Sequence, residues 1–283
     1  QTCALPISLP PPDSGAFRHV GSWQLTQSAG AAGGERIGEG MGDAPRGGYH
    51  LRRVIGMGGM GEVWNAVQLS LGRPVAVKVI RHDVRLRAKD EETLRRQEYD
   101  FRQEALIGAR LEHPNIVPVH DFGLDEEGRP LIAMKMVGGE PWDDIIRRDF
   151  GVMPEADFLA KHLEVLIDVG NAVAFAHSRL IVHRDLKPSQ VMVGEFGEVL
   201  LMDWGLAIYV GEEPVVREGP VDLRLTSRQT ATSPSGTPSM MAPEQTEVSA
   251  ERIGLWTDVY LLGGILYYLL TGTQPHQAES ARA

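Results

Sequence analysis

Cysteine is almost absent from this sequence: Cys3 stands alone among 283 residues. One thiol cannot close a disulfide within the chain, so a reducing compartment, by default the cytoplasm, is the expected location. Basic surplus is lacking too, since 28 Lys and Arg face 38 Asp and Glu for a formal charge of −10. Without a basic stripe to displace counterions, nucleic acid is not an expected partner, and any phosphate binding must be local. Long apolar runs are also missing. The most apolar one, Val259 to Leu270, is about a dozen residues where a hydrocarbon core takes about 20, so it reads as a buried helix. The N-terminus shows no basic start followed by an apolar stretch of the kind that marks a signal peptide. No membrane contact is expected within this stretch, which remains compatible with a membrane anchor elsewhere in a longer protein.

What is present is the make-up of an ordinary globular protein, 42% hydrophobic and 23% charged, long enough for one large or two small domains. The first 48 residues are the exception. Gln1 to Ile7 read as the in-frame translation of a sequencing adapter, which would make Cys3 foreign to the native protein; an ordinary segment cut from a longer chain is the alternative. From Ser8 to Gly48 the chain is rich in Pro, Gly, Ser and Ala without sustained periodicity, so residues 1–48 are expected to form a disordered leader.

Order is expected from Tyr49. Gly56, Gly58 and Gly61 form a G-x-G-x-x-G pattern, and glycine lets backbone approach phosphate oxygens without a Cβ in the way. A dinucleotide-binding fold would continue into a helix. Here Glu62 to Val67 alternates like a strand and Leu71-Gly72-Arg73-Pro74 turns the chain back, so the glycines sit in a hairpin lid. The next predicted strand, PVAVKVI, carries Lys78 among apolar neighbours.

At this point the chain resembles the protein kinase family, in which G-x-G-x-x-G-x-V precedes V-A-I-K; the matching residues are Gly56 to Val63 and Val75 to Lys78. The resemblance implies an α+β fold of two lobes, a β-rich small lobe with one helix over 49–137 and a mostly helical, incomplete large lobe over 138–283, with ATP in the cleft. It places Ile55, Gly56, Gly58, Gly61, Val63 and Ala76 around the nucleotide and Lys78 on its α- and β-phosphates. Glu104 becomes the ion-pair partner of Lys78, with Glu98 and Asp100 as competitors; its spacing to His113-Pro114-Asn115 favours it. PLIAMKMVGGEPW resembles the strand and hinge under the adenine, with Met134 at the back and Met136 among Lys135 to Val137 on the purine edge; the resemblance adds Met192 to the nucleotide-binding residues.

Phe158 to His177 spaces Leu159, Leu163, Leu166, Val169 and Val173 at helical intervals, a face for the core of the large lobe. It delivers HRDLKPSQ. The resemblance makes Asp185 the group that orients the acceptor hydroxyl and takes its proton, and Lys187 a positive charge by the transferred phosphoryl group, as in the Ser/Thr-specific branch. Asp203 in MDWGLA becomes the Mg2+ ligand, with Mn2+ as an alternative ion. Gln190 stands where the family carries Asn as second ligand; it keeps the amide but adds a methylene, which predicts weakened transfer and an altered metal preference. Between Asp203 and Glu244, Thr226, Ser227, Thr230, Thr232, Ser233 and Ser235 are candidate phosphorylation sites, with Arg184 as a receiver of added phosphate. Thr237 matches the residue that bonds the catalytic Asp and Lys, Met240 stands where many relatives have Tyr, and Asp258 resembles the buried carboxylate that anchors the catalytic loop. The phrasing is similar to that of bacterial Ser/Thr kinases, which implies protein substrates, autophosphorylation and pairing of kinase domains. A nucleotide-binding pseudokinase is the rival reading, motivated by Gln190 and Met240. Helices beyond Ala283 are expected to cover apolar surface that this stretch leaves open.

Overall fold

In a computed structural model of the chain, the structure describes residues 24–27 (backbone only), 48–58, 61–81, 91–125, 128–212, 225–231, 234–247 and 249–276. The small lobe is a six-stranded sheet of β1 (Gln24–Gln27), β2 (Gly48–Met57), β3 (Gly61–Gln68), β4 (Arg73–Ile80), β5 (Val119–Leu124) and β6 (Pro130–Lys135), in the order β1-β2-β3-β4-β6-β5. Only the β1–β2 pair in this sheet is parallel. β1 lies inside the span expected to lack order, so the leader contributes one short strand at the sheet edge. The β3–β4 turn closes with Gly72 at a φ of 62°, a conformation glycine adopts without strain.

Alternation along β4 decides what reaches the cleft. Val75, Val77 and Val79 pack with Tyr49, Leu51, Ala66 and Leu131 on one face of the sheet. Ala76 and Lys78 point the other way, and Ile80 on that side joins Phe101 and Ala105 of α1 (Glu91–Gly108) and Ile132 of β6. The helix therefore docks on the face that carries Lys78. Glu91 and Glu92 occupy its first turn, where acidic side chains complement the helix dipole.

The large lobe gathers α2 (Trp142–Asp149), α3 (Glu155–His177) and α4 (Leu255–Thr271) around one core that includes Trp142, Ile146, Val169, Val173, Leu261 and Ile265. Two small sheets sit above it: β7 (Glu140–Pro141), β9 (Val191–Val193) and β10 (Val199–Leu201) form one, and β8 (Ile181–Val182) with β11 (Ile208–Tyr209) the other. The expected stripe on α3 is turned. Phe158, His162, Val165, Val169, Ala172, Val173 and Ala176 are buried, whereas Leu163 is 37% exposed and Leu159 and Leu166 are only partly covered. The hydrogen bond from Trp142 Nε1 to His162 Nδ1, 2.8 Å long, sets that rotation by drawing a polar residue into the core with a partner. Nor is α4 buried all round. Leu261, Ile265, Tyr268 and Leu269 face the core, while Val259, Tyr267 and Leu270 lie exposed, Val259 at 60%. Among the described residues no helix is long and apolar enough to cross a membrane.

Candidate active site

The cleft between the lobes is a cavity of about 380 Å³. Its roof is the β2–β3 hairpin, which brings Ile55, Gly56, Gly58, Gly61 and Val63 over it; Gly58 N–H donates to Gly61 O at 2.8 Å across the tip. A Cβ on Gly61 would stand 3.2 Å from Lys78 Cε and 3.1 Å from Val79 O, so the absence of a side chain is what lets the Lys78 stem run beneath the loop. Ala76 and Met134, opposite each other in the β4–β6 register, form the back, the segment from Lys135 to Val137 one edge, and Met192 the floor. Every residue expected to hold the nucleotide lines this cavity. Val117, Met57, Ser189 and Met202 line it as well, without having been picked out in the sequence.

Lys78 Nζ donates to both oxygens of Glu104, at 2.6 and 2.7 Å, and lies 3.6 Å from Asp203 Oδ1. Burial opposes charge on the ammonium, but Glu104 and then Asp203 outweigh it and hold the pKa above its ordinary value. Burial also drives the Glu104 carboxyl upward, the cost of placing a carboxylate there, which the two short contacts from Lys78 oppose. The Asp203 side chain is 44% exposed, so solvent screens its charge. Burial raises its pKa, yet Lys78, His183, Gln190 and the Gly205 N–H bring the net below the ordinary carboxylate value. Of the three candidate carboxylates it is Glu104 that holds Lys78; Asp100 lies in the field of Arg96 and Arg184.

The catalytic-loop geometry is built from backbone. Arg184 and Asp203 both adopt left-handed conformations, φ 69° and 56°. Asp258, 0% exposed, accepts the Arg184 N–H on Oδ1 at 2.9 Å and the His183 N–H on Oδ2 at 2.8 Å, with His177 Nε2 2.9 Å from Oδ2. His183 Nδ1 accepts the Asp185 N–H at 3.2 Å, which leaves Nε2 to carry the proton and donate to Met202 O at 3.1 Å. Asp185, so placed, receives Thr237 Oγ1–H on Oδ1 at 2.6 Å and Lys187 Nζ on Oδ2 at 2.8 Å, and Lys187 also donates to Thr237 Oγ1 at 2.6 Å. Gln190 Nε2 spans the two carboxylates, 3.4 Å from Asp185 Oδ2 and 3.1 Å from Asp203 Oδ2. That extra methylene gives the amide its reach.

Gln245 is a residue that sequence reasoning passed over. Buried, it donates from Nε2 to Arg184 O at 2.6 Å and to Ser235 O at 3.0 Å and accepts the Ala242 N–H at 3.0 Å, so one amide pins the catalytic loop to the segment before Thr237. Nothing in its neighbourhood of the sequence signals this. Gly236 beside it has a φ of 131°, and a Cβ there would lie 2.8 Å from Gln245 Nε2. Met240 is buried in the large-lobe core and serves as packing. Of the candidate phosphorylation sites, Thr226 is buried, the Ser227 and Thr230 hydroxyls contact each other at 3.4 Å, and Thr232 and Ser233 lie outside the described residues.

A bilobal fold with a glycine hairpin over a lysine–glutamate pair, facing an HRD loop and a metal-type aspartate, defines a class. Residues 49–283 match the protein kinase domain, and the chain belongs to that family. Similar proteins include bacterial kinases. The chain is 35% identical over 237 residues to the serine/threonine-protein kinase PknA of Mycobacterium tuberculosis, an overlap covering 82% of this chain and 49% of that protein. It is also 35% identical to the serine/threonine-protein kinase pkn3 of Myxococcus xanthus (82% and 39%) and to the probable serine/threonine-protein kinase PknB of Bifidobacterium longum (83% and 32%). The chain thus spans between about a third and a half of the length of these curated relatives.

Proposed function

We propose that this chain is the catalytic domain of an ATP-dependent serine/threonine protein kinase. The observation that carries the reading is the unbroken set of contacts from Glu104 through Lys78 to Asp203, and from Asp203 through Gln190 to Asp185, Lys187 and Thr237. This set supports the reading because phosphoryl transfer asks mainly for positioned charges, and these side chains hold one another in place. Lys78, held by Glu104, takes the α- and β-phosphates, and the glycine hairpin lays backbone over them. Asp185 Oδ1 and Oδ2 orient a substrate hydroxyl and accept its proton as the new ester bond forms, while Lys187 offsets negative charge on the transferred group. Thr237, on both of them, fixes their separation.

Asp203 and Gln190 offer hard oxygen donors of the kind Mg2+ or Mn2+ takes, the carboxylate ionised and the amide neutral. Bound there, the ion would neutralise charge on the phosphates. Gln190 would serve through its amide oxygen, the opposite end from the Nε2 that faces the carboxylates.

Transfer of labelled phosphate from ATP to the chain itself and to a generic basic protein tests the reading. Activity that disappears in Asp185→Asn and Lys78→Met is the expected result. Tight nucleotide binding with no transfer under any divalent ion would instead make the domain a pseudokinase.

A further inference from the structure

One contact joins the activation segment, the stretch between Asp203 and Glu244, to α1 and plays no part in the site described above. The Thr226 N–H donates to Gln103 Oε1 at 2.9 Å, linking residues 123 positions apart, and Gln103 is 5% exposed. Gln103 immediately precedes Glu104, the partner of Lys78. On the segment side, Thr226 is fixed in turn: its carbonyl accepts the Tyr209 N–H at 2.8 Å, and Tyr209 belongs to β11, which pairs with β8 just before the catalytic loop. The path from β8 to Lys78 therefore runs through hydrogen bonds at β11, Thr226 and Gln103.

We propose that Gln103 is a positioning residue for phosphoryl transfer: by accepting the Thr226 N–H it latches the activation segment to α1 and keeps Glu104 on Lys78 without a phosphate on the segment. The inference rests on the kinase reading above. Two further observations support it. Arg184, the residue expected to receive a phosphate, is 3% exposed and already engaged, its Nε donating to Leu206 O at 2.6 Å with Asp258 and Asp100 as charged neighbours. A phosphate would have to enter a place held by a carbonyl and two carboxylates. Two further contacts in the described part of the segment use neutral side chains, Gln245 on Ser235 O and the Thr237 hydroxyl on Asp185. Losing the latch frees α1 to carry Glu104 away. The adenine end of the cleft stands on β4, β6 and the Lys135 to Val137 edge, which do not depend on that contact.

Two measurements on the full chain, dephosphorylated, test this with Gln103→Met, which keeps length but removes the carbonyl, and Gln103→Glu, which restores an acceptor. A buried hydrogen bond contributes about 1 kcal/mol, or about fivefold in a population. Amide exchange at Thr226 should quicken about fivefold in Gln103→Met and recover in Gln103→Glu; equal exchange in all three overturns the proposal. In steady-state assays kcat should fall about fivefold in Gln103→Met with KM for ATP within twofold. An unchanged kcat, or a KM-only effect, overturns it, as does a wild-type chain that is inactive until its segment is phosphorylated. A chain inactive in both states refutes the kinase reading instead, and the exchange experiment then decides the latch alone.

Discussion

Asp258→Asn is the perturbation whose size the structure allows to be worked through. The carboxylate is fully buried and serves two backbone N–H groups and His177, at 2.8 to 2.9 Å. An asparagine keeps one oxygen and turns the other into a donor. With the oxygen on the His183 side, the NH2 faces the Arg184 N–H, and that buried amide loses its partner at a cost of about 1–3 kcal/mol. The two surviving contacts lose charge assistance, about 1 kcal/mol each, and relief from burying a carboxylate returns part of the sum. The net expectation is about 2–4 kcal/mol, which for a domain of this size lowers Tm by about 5–15 °C. Arg184 sits at φ 69°, a conformation that costs about 1–2 kcal/mol for a residue with a Cβ and persists because the Asp258 bonds hold it. Released, the backbone that aims Asp185 relaxes, so kcat should drop at least tenfold below the melting range. Calorimetry and a phosphate-transfer assay on the same samples check both. Unchanged Tm and kcat would refute the reasoning and show that the left-handed turn is held by Gln245 and the core alone.

Gly61→Ala should raise KM for ATP about tenfold with little loss of Tm, because the new methyl meets the Lys78 stem at 3.2 Å and displaces the ammonium from Glu104; equal KM values in a titration of ATP would contradict this. Gln190→Asn should raise the Mg2+-supported rate several-fold and narrow any advantage of Mn2+, measured as paired rates with the two ions, whereas a slower variant would show that spanning Asp185 and Asp203 matters more than ligation. The net pKa of Asp203 is depressed, so its stabilisation is present above the unfolded value of 3.8 and is lost as pH falls through the lower folded value. Urea unfolding should therefore show wild type losing slightly more stability than Asp203→Asn below about pH 4, an effect kept small by solvent screening.

How far the sequence could be read follows from which signals are local. Gly56, Gly58 and Gly61, the alternation around Lys78, and Asp185 with Lys187 announce themselves because a strand or loop fixes their relative positions within a few residues. The α1 partner needed a longer inference, and the structure brings Glu104 rather than Glu98 or Asp100 to Lys78 because the helix turns Phe101 and Ala105 into the sheet. On α3, Leu159, Leu166, Val169 and Val173 pack on the core while Leu163 does not, because leucine spacing alone does not record that His162 has a buried partner in Trp142. Gln103 and Gln245 were not visible at all. An amide gains its meaning from a partner more than 60 positions away, and no pattern in its own segment encodes that partner.

The pleat of β4 imposes a parity rule on the enzyme. Ala76 and Lys78 share the cleft side while Val75, Val77 and Val79 share the opposite core, and the register ties Lys78 to Val63 on one neighbour and Ile132 on the other. A one-residue shift of this strand would exchange the two sets, placing valines under the phosphates and an ammonium among Tyr49, Leu51 and Leu131. A two-residue shift would keep polarity but move the ammonium about 7 Å along the strand, out of reach of Glu104. Insertions and deletions within β4 would therefore break the site outright, and the loop at Leu69 to Gly72 is where length changes in this hairpin should be tolerated.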